Sequence, residues 1–286
     1  MRANKRTTSW DQAADWYDRL LESDEGAGTY QKELILPNLM RLMRVAPGAR
    51  VLDLGCGQGF FSRALSDAGA HVLGIDASKR LIELARTHAN AKQVRPSLRA
   101  GRGGTAEFRT GDAASLPFVP SGTTDAVLIV LALQNMERVA DVFAECARVL
   151  KPGGVLHVVL NHPAFRVPHA SSWGWDEAAK AQYRRIDAYL SESKEKIVTH
   201  PGSRPADYTW SFHRPLQFYV KALAKAGLAV AALEEWNSHK KSEPGPRAKA
   251  EDRARKEIPL FLYMAARTAG RDVVPQEGAA GAATRR

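Results

Sequence analysis

The stretch Val51–Ser62, VLDLGCGQGFFS, decides the fold. It begins as a strand apolar on both faces, turns through Gly55, Gly57 and Gly59, and continues into a helix from Phe60. A strand without a polar face belongs to a sheet covered on both sides, as parallel sheets are. The glycines supply a turn whose backbone can approach a ligand closely. Their G-x-G-x-G spacing differs from the G-x-G-x-x-G that sets a helix N-terminus against a pyrophosphate.

Outward from this turn the pattern repeats. Strands are expected at 50–54, 71–75, 106–110, 124–131 and 155–160, with helices at 60–68, 79–89 and 140–150 between them. Strands alternating with helices mean βαβ units in a mostly parallel sheet. Before the turn, residues 10–45 read as helical, with Pro37 as a kink or break. After Leu160 the alternation fails for about fifty residues, longer than an ordinary connection. That segment is rich in aromatic, Pro and His residues, and a short helix is expected over 177–193. Regularity returns with a helix at 215–226 closed by Gly227, a strand LAVAALEEW, a polar basic loop and a last strand PLFLYMAART. The organisation expected is an N-terminal helical lid (1–48), a cofactor-binding core (49–160), an inserted helical cap (161–212), the C-terminal part of the core sheet (213–269) and a disordered tail (270–286).

Three acids fall at successive strand ends: Asp53, Asp76 and Asp112. Open α/β sheets bind ligands along that edge. Asp53 at the mouth of the glycine turn would repel a pyrophosphate and attract a cation. Asp76 can accept both ribose hydroxyls, and Asp112 can accept from an exocyclic amine. Each of Asp76 and Asp112 can also be a helix cap or turn acid. The set together points to a cofactor with an amino-acid end, an adenosine and no phosphate.

VLDLGCGQG, GIDAS, GDAASLPF, DAVLIVLALQNMER and RVLKPGGVLHVV resemble, in order and spacing, the motifs of class I S-adenosylmethionine-dependent methyltransferases, nearest to the branch of quinone-biosynthesis and other small-molecule enzymes. The resemblance covers about 51–160. It implies a Rossmann-like α/β fold: a seven-stranded, mostly parallel sheet with an antiparallel last strand and helices on both faces. It also implies that Asp53, Gly55 and Gly57 shape the methionine end of the cofactor pocket. Asp76 then holds the ribose, Asp112 and the Ala113 backbone the adenine, and Val130 lies against the sulfonium. KPGG, 151–154, is a structural turn.

Methyl transfer from a sulfonium needs acceptor positioning and water exclusion more than acid–base chemistry. Where a base is needed, His162 at the exit of the fifth strand is the first candidate and His213 the second; the alternative for each is a histidine that organises a loop. ALQNMER lacks the Asn/Asp-Pro-Pro-Tyr/Phe tetrapeptide of amine-methylating DNA and protein enzymes, leaving O, C or N of a small organic molecule. Gln134 and Asn135 are candidate pocket groups; Trp16, Tyr17 and Tyr30 are candidate lid residues or simple packing. The aromatics of the insertion suit an apolar or aromatic acceptor, or the insertion's own small core.

Composition narrows the classes. Two cysteines, Cys56 and Cys146, without a CxxC, supply neither a disulfide framework nor a cysteine zinc site, and His157, His162 and His169 lack a companion carboxylate at ligand spacing. No metal is expected. No apolar run reaches the ~18 residues of a membrane span, and the basic N-terminus lacks the apolar stretch of a secretory signal, so the cytoplasm is expected. The net charge of +10 concentrates in loops and termini. It reads as solvated surface charge, with an RNA acceptor as the alternative. A dinucleotide-dependent oxidoreductase and a cofactor-binding protein without catalysis complete the alternatives. Nothing in the sequence sets the oligomeric state.

Overall fold

A computed structural model of the chain describes residues 9–22, 29–93, 103–198 and 208–268. The expected tail 270–286, most of the basic stretch 92–102 and part of the insertion (199–207) lie outside the described residues.

The strands are β1 (Arg50–Leu54), β2 (His71–Asp76), β3 (Thr105–Thr110), β4 (Thr124–Val130), β5 (Leu150–Asn161), β6 (Ser171–Asp176), β7 (Ala181–Ile186), β8 (Ser193–Val198), β9 (Tyr208–His213), β10 (Leu228–Trp236) and β11 (Phe261–Thr268). The helices are α1 (Trp10–Glu22), α2 (Leu36–Met43), α3 (Phe60–Asp67), α4 (Lys79–Gln93), α5 (Val139–Val149), α6 (Leu216–Lys225) and α7 (Ala248–Glu257). Seven strands form one sheet in the order β10-β11-β5-β4-β1-β2-β3. Its β5-β4-β1-β2-β3 part is parallel, and β11 runs antiparallel to both β5 and β10. This is the expected sheet with its antiparallel last strand.

The double-sided apolar strands are explained by two cores. Leu52, Leu54, Val127 and Ile129 pack against Val142, Phe143 and Cys146 of α5 and Leu223 of α6. Their sequence neighbours Val51, Leu128 and Val130 face the other way, onto Ile35, Leu39, Phe61 and Leu65. The period of two therefore fills both faces of the sheet. Pro37 does not break its helix. Proline lacks an N–H and its ring crowds the carbonyl four residues back. Residues Gln31–Ile35 widen to a π-turn, with Leu36 N donating to Gln31 O, and α2 continues beyond.

Two expectations fail. The insertion is a pair of β-hairpins, β6–β7 and β8–β9, rather than a helical cap, and the helix expected at 177–193 is absent. In β8 half-buried and exposed positions alternate strictly, and the Lys194 and Lys196 ammoniums lie over the Trp210 ring at 5.0 and 5.4 Å. These period-two contacts across the hairpin outweigh helix propensity. Lys180 (φ 48°) makes the β6–β7 turn and Ala188 (φ 52°) lies in the connection to β8, both without the glycine that advertises such a conformation. The basic loop after β10 contains α7, which is polar around almost its whole circumference, with Ala254 as its buried residue. Among the described residues, no helix is long and apolar enough to cross a membrane.

Candidate active site

At the carboxyl edge of the sheet, β1 hands on to β2 on one side while β4 lies on the other, which makes the gap between β1 and β4 the topological switch point. A cavity of about 620 Å³ opens there. Gly55, Gly57, Asp76, Asp112, Ala113 and Val130, all expected at the site, line it.

The glycine turn is shaped by close contacts. Gly55 (φ 71°) and Gly59 (φ 83°) hold left-handed conformations, and a Cβ on either would lie 2.4 Å from Ala132 Cβ or 2.6 Å from Phe108 Cζ. The backbone amides of the turn are spent internally. Gly55 N (2.7 Å) and Cys56 N (3.1 Å) donate to Ile75 O, and Gly59 N donates to Cys56 O (3.0 Å). Gly57 N donates to Asp76 Oδ2 (3.0 Å). These four amides therefore offer no nest to a phosphate, as the glycine spacing predicts.

Asp76 also accepts from Ser78 N on Oδ1 (2.8 Å). A carboxylate has about four acceptor sites, so about half remain free. Burial, with the Asp11 charge, raises its pKa against the pull of the Ser78 and Gly57 amides and, more weakly, that of Ala77. Asp112 stands at the rim, half-exposed, with Ala114 N on Oδ1 (2.9 Å) and Arg138 Nη2 on Oδ2 (2.6 Å). Its carboxylate already has a cation. Asp53 differs from both. It is not part of the cavity wall but lies buried beneath the turn, accepting from Ser62 Oγ (2.6 Å), and burial pushes its pKa up to about 7. The expected row of three acids is thus two at the wall and one beneath it.

Neither histidine candidate reaches the cavity. His162 is buried with Nδ1 accepting from Ala164 N (3.2 Å), which leaves Nε2 to donate to Glu235 Oε1 (2.7 Å). Burial lowers its pKa. His213 Nε2 donates to Tyr189 O (2.8 Å). Both organise loops. Of the lid candidates, Tyr17 lies on the cavity and Tyr30 does not: its hydroxyl bonds Ser238 Oγ (3.0 Å). Trp16 is also absent from the wall.

Several site residues escape sequence reading. Trp10 lines the cavity edge-to-face with Tyr17, ring centroids 5.6 Å apart; the signal was the seven-residue spacing, which puts both on one helix face. Burial raises the Tyr17 hydroxyl to about 12, so it stays protonated. Leu131, directly after β4, lines the cavity with φ 50°, a strained conformation of the kind concentrated at functional sites. Of the two expected pocket groups, Gln134 Nε2 (2.7 Å) and Asn135 Nδ2 (3.4 Å) both donate to the Leu131 carbonyl, and Asn135 lines the cavity. The α1 helix is latched over the site by acids four, three and four residues apart. Asp11 accepts from Ser78 Oγ (2.6 Å), Asp15 pairs with Arg80 (2.9 Å), Asp18 with His88 (2.7 Å), and Glu22 accepts from Gln58 Nε2 (2.9 Å). Asp18, Glu22 and His88 bring three potential ligand atoms within 4.8 Å, but Arg63 also binds Glu22, so the group closes as ion pairs.

Comparison with known proteins agrees with this geometry. Residues 52–158 match the model of the methyltransferase domain family. A ubiquinone biosynthesis O-methyltransferase of Sinorhizobium fredii is 31% identical over 178 residues, covering 59% of this chain and 65% of that protein. A demethylmenaquinone methyltransferase of Tropheryma whipplei is 36% identical over 124 residues, covering 43% of this chain and 46% of that protein. The chain thus spans between about half and just under two thirds of these curated relatives. An S-adenosylmethionine-dependent methyltransferase from Mesorhizobium loti superposes with a TM-score of 0.61 at 27% identity, over 81% of this chain and 96% of that one. Residues 52–158 are therefore a methyltransferase domain, and the chain that contains them has the class I S-adenosylmethionine-dependent methyltransferase fold.

Proposed function

We propose that this chain binds S-adenosylmethionine at the switch-point cavity and transfers its methyl group to a small organic molecule. The observation that carries this reading is Asp76. Its carboxylate faces a cavity of small-molecule size, within the ~300–1,000 Å³ usual for such sites, with acceptor capacity to spare, beside a glycine turn whose amides are spent. That pairing suits a ribose diol and disfavours a pyrophosphate. The other walls suit the rest of the cofactor. Ile75, Leu81, Ala113 and Val142 give the same cavity an apolar lining, as an adenine ring requires, and Asp53 beneath the turn, once ionised, supplies a charge for an ammonium end.

The cofactor supplies an activated methyl group on sulfur, open to in-line displacement. The chain's work is then to bind, orient and exclude water. Asp76 fixes the ribose, and Val130 and Leu131 present the end of β4 to the reacting centre. Trp10 and Tyr17, held down by the α1 latch, keep water out. With both histidines engaged in loops, the reading assigns no side-chain base. The name of the Sinorhizobium fredii relative, an O-methyltransferase of ubiquinone biosynthesis, supports an oxygen acceptor.

Two measurements test the proposal together: calorimetric titration with S-adenosylmethionine, and transfer of labelled methyl to a mixed metabolite extract. Micromolar-range binding with label appearing in a small molecule is expected. No binding at millimolar cofactor, or thermal stabilisation by a nicotinamide dinucleotide instead, overturns it.

A further inference from the structure

Helix α5 starts on an arginine. Short polar side chains that bond the first helical turn are preferred at that position, yet Arg138 is the N-cap and makes no capping bond. Arg138 lines the cavity, and its side chain reaches across to the opposite loop. Nη2 donates to Asp112 Oδ2 (2.6 Å) and Nη1 to Asp141 Oδ2 (3.4 Å). These bonds use two of the five N–H donors of a guanidinium. Asp112 also keeps spare capacity, because Ala114 N and Arg138 fill about half of its four acceptor sites.

The segment that carries Arg138 is pinned by the insertion. Arg214, directly after β9, is buried with its guanidinium 5.0 Å from the Phe212 ring centroid and 5.1 Å from that of Phe218. It donates from Nη2 to Glu137 O (2.9 Å), and Lys194 of β8 pairs with the Glu137 carboxylate (3.3 Å). The backbone one residue before Arg138 is therefore held from two strands of one hairpin.

An acceptor and a donor thus stand side by side on the cavity wall, Asp112 Oδ2 and the Arg138 guanidinium. The amide of Asn or Gln offers the same pair, and that pair reads adenine, whose exocyclic amine donates while the ring nitrogen beside it accepts. A 6-oxo purine puts an oxygen where adenine has its amine, and so meets the Asp112 carboxylate with a second acceptor. Apolar walls adjoin both groups. Ala113 follows Asp112, Val142 lies one turn along α5 from Arg138, and both line the cavity.

We propose that Arg138 is a cofactor-selectivity residue. Asp112 accepts the adenine amine, Arg138 donates to an adjacent ring nitrogen, and Arg214 positions Arg138 through the Glu137 carbonyl. This deepens the reading of the cavity as the cofactor site and rests on it. Arg138 binds the cofactor and takes no part in bond making.

Calorimetric titration of the full chain with S-adenosylhomocysteine, its 1-deaza and 7-deaza analogues and its 6-oxo (inosyl) analogue tests the proposal. The wild type should bind the 6-oxo analogue and one deaza analogue about fivefold or more weakly than the parent compound. The deaza analogue that fails identifies the nitrogen. Arg138→Met keeps a long side chain but removes every donor. It should bind S-adenosylhomocysteine about fivefold or more weakly and no longer distinguish that deaza analogue, with Arg138→Lys recovering part of the discrimination. A residue that only props Asp112 would lose affinity and keep the deaza ratio, and that result overturns the proposal. So does a wild type that binds both deaza analogues as well as the parent, a result independent of how the variants fold. Failure of the wild type to bind S-adenosylhomocysteine marks instead the failure of the cofactor reading, and the adenine assignment falls with it.

Discussion

Replacing Asp53 by Asn removes a buried carboxylate while leaving an oxygen for Ser62 Oγ to donate to. Burial, with help from the neighbouring Asp76 and against the Ser62 hydrogen bond, sets the Asp53 pKa at about 7 in the folded chain. The same group ionises near ~3.9 when unfolded. A raised folded value means that the fold prefers the neutral acid, so this contribution to stability is complete below about pH 4 and is lost as pH climbs towards about 7. A cationic cofactor reverses the preference, because the ammonium end is best held by the ionised form. Binding then expels a proton from any chain that still carries one. For a group of pKa about 7 held ionised in the complex, affinity rises about tenfold between pH 6 and pH 8. Calorimetric titration at both pH values reads this as the difference between wild type and Asp53→Asn, which cancels titrations elsewhere. The wild type should show the rise and the variant a flatter profile with weaker binding at pH 8. A wild type with no rise, or a variant with the same one, would refute the argument that a neutral Asp53 awaits a cation.

Other outcomes follow from single contacts. Gly59→Ala adds a Cβ 2.6 Å from the Phe108 ring at φ 83°, and the left-handed strain plus overpacking should cost about 2–4 kcal/mol in chemical denaturation; unchanged stability would contradict the turn geometry. His162→Gln should lower methyl transfer only severalfold, because the ring braces Glu235 and Ala164 and stays off the cavity; a loss of the ~100-fold to 10,000-fold typical of a lost base would restore its catalytic role. Arg80→Ala removes an exposed pair with Asp15 and should leave stability nearly unchanged, yet speed cofactor release as α1 loosens. Stopped-flow fluorescence from Trp10 checks this, and an unchanged release rate would remove the latch.

How much of this was legible in the sequence depended on which physical signal each element carries. The strands β1, β2, β4 and β5 were readable because both faces of each meet a helix layer, leaving short apolar runs with little ambiguity, whereas β3 is an edge strand buried at Phe108. Asp76 was readable because its place follows from strand register alone: it ends β2, opposite Thr110 of β3. The β6–β7 hairpin was not, since its turn rests on Lys180 at positive φ, and residues 177–193 contain no glycine or proline to break a helical reading. The α7 helix was hidden by its polarity, which leaves propensity without periodicity. The histidines misled for a different reason. A buried histidine near a strand exit is as useful for tying a loop as for moving a proton, and only its partners, Glu235 for His162 and the Tyr189 carbonyl for His213, tell the two apart. The Arg138–Asp112 pair joins residues from separate loops 26 positions apart, so no local pattern announces it.

The measurement closest to the heart of the account is the dissociation constant of S-adenosylmethionine for Asp76→Ala against wild type, with circular dichroism and melting confirming that both are folded. Loss of charge-assisted hydrogen bonds to a ribose, about 1.5–3 kcal/mol, should weaken binding about tenfold to a hundredfold. An affinity unchanged in the folded variant would mean that this carboxylate does not hold the cofactor.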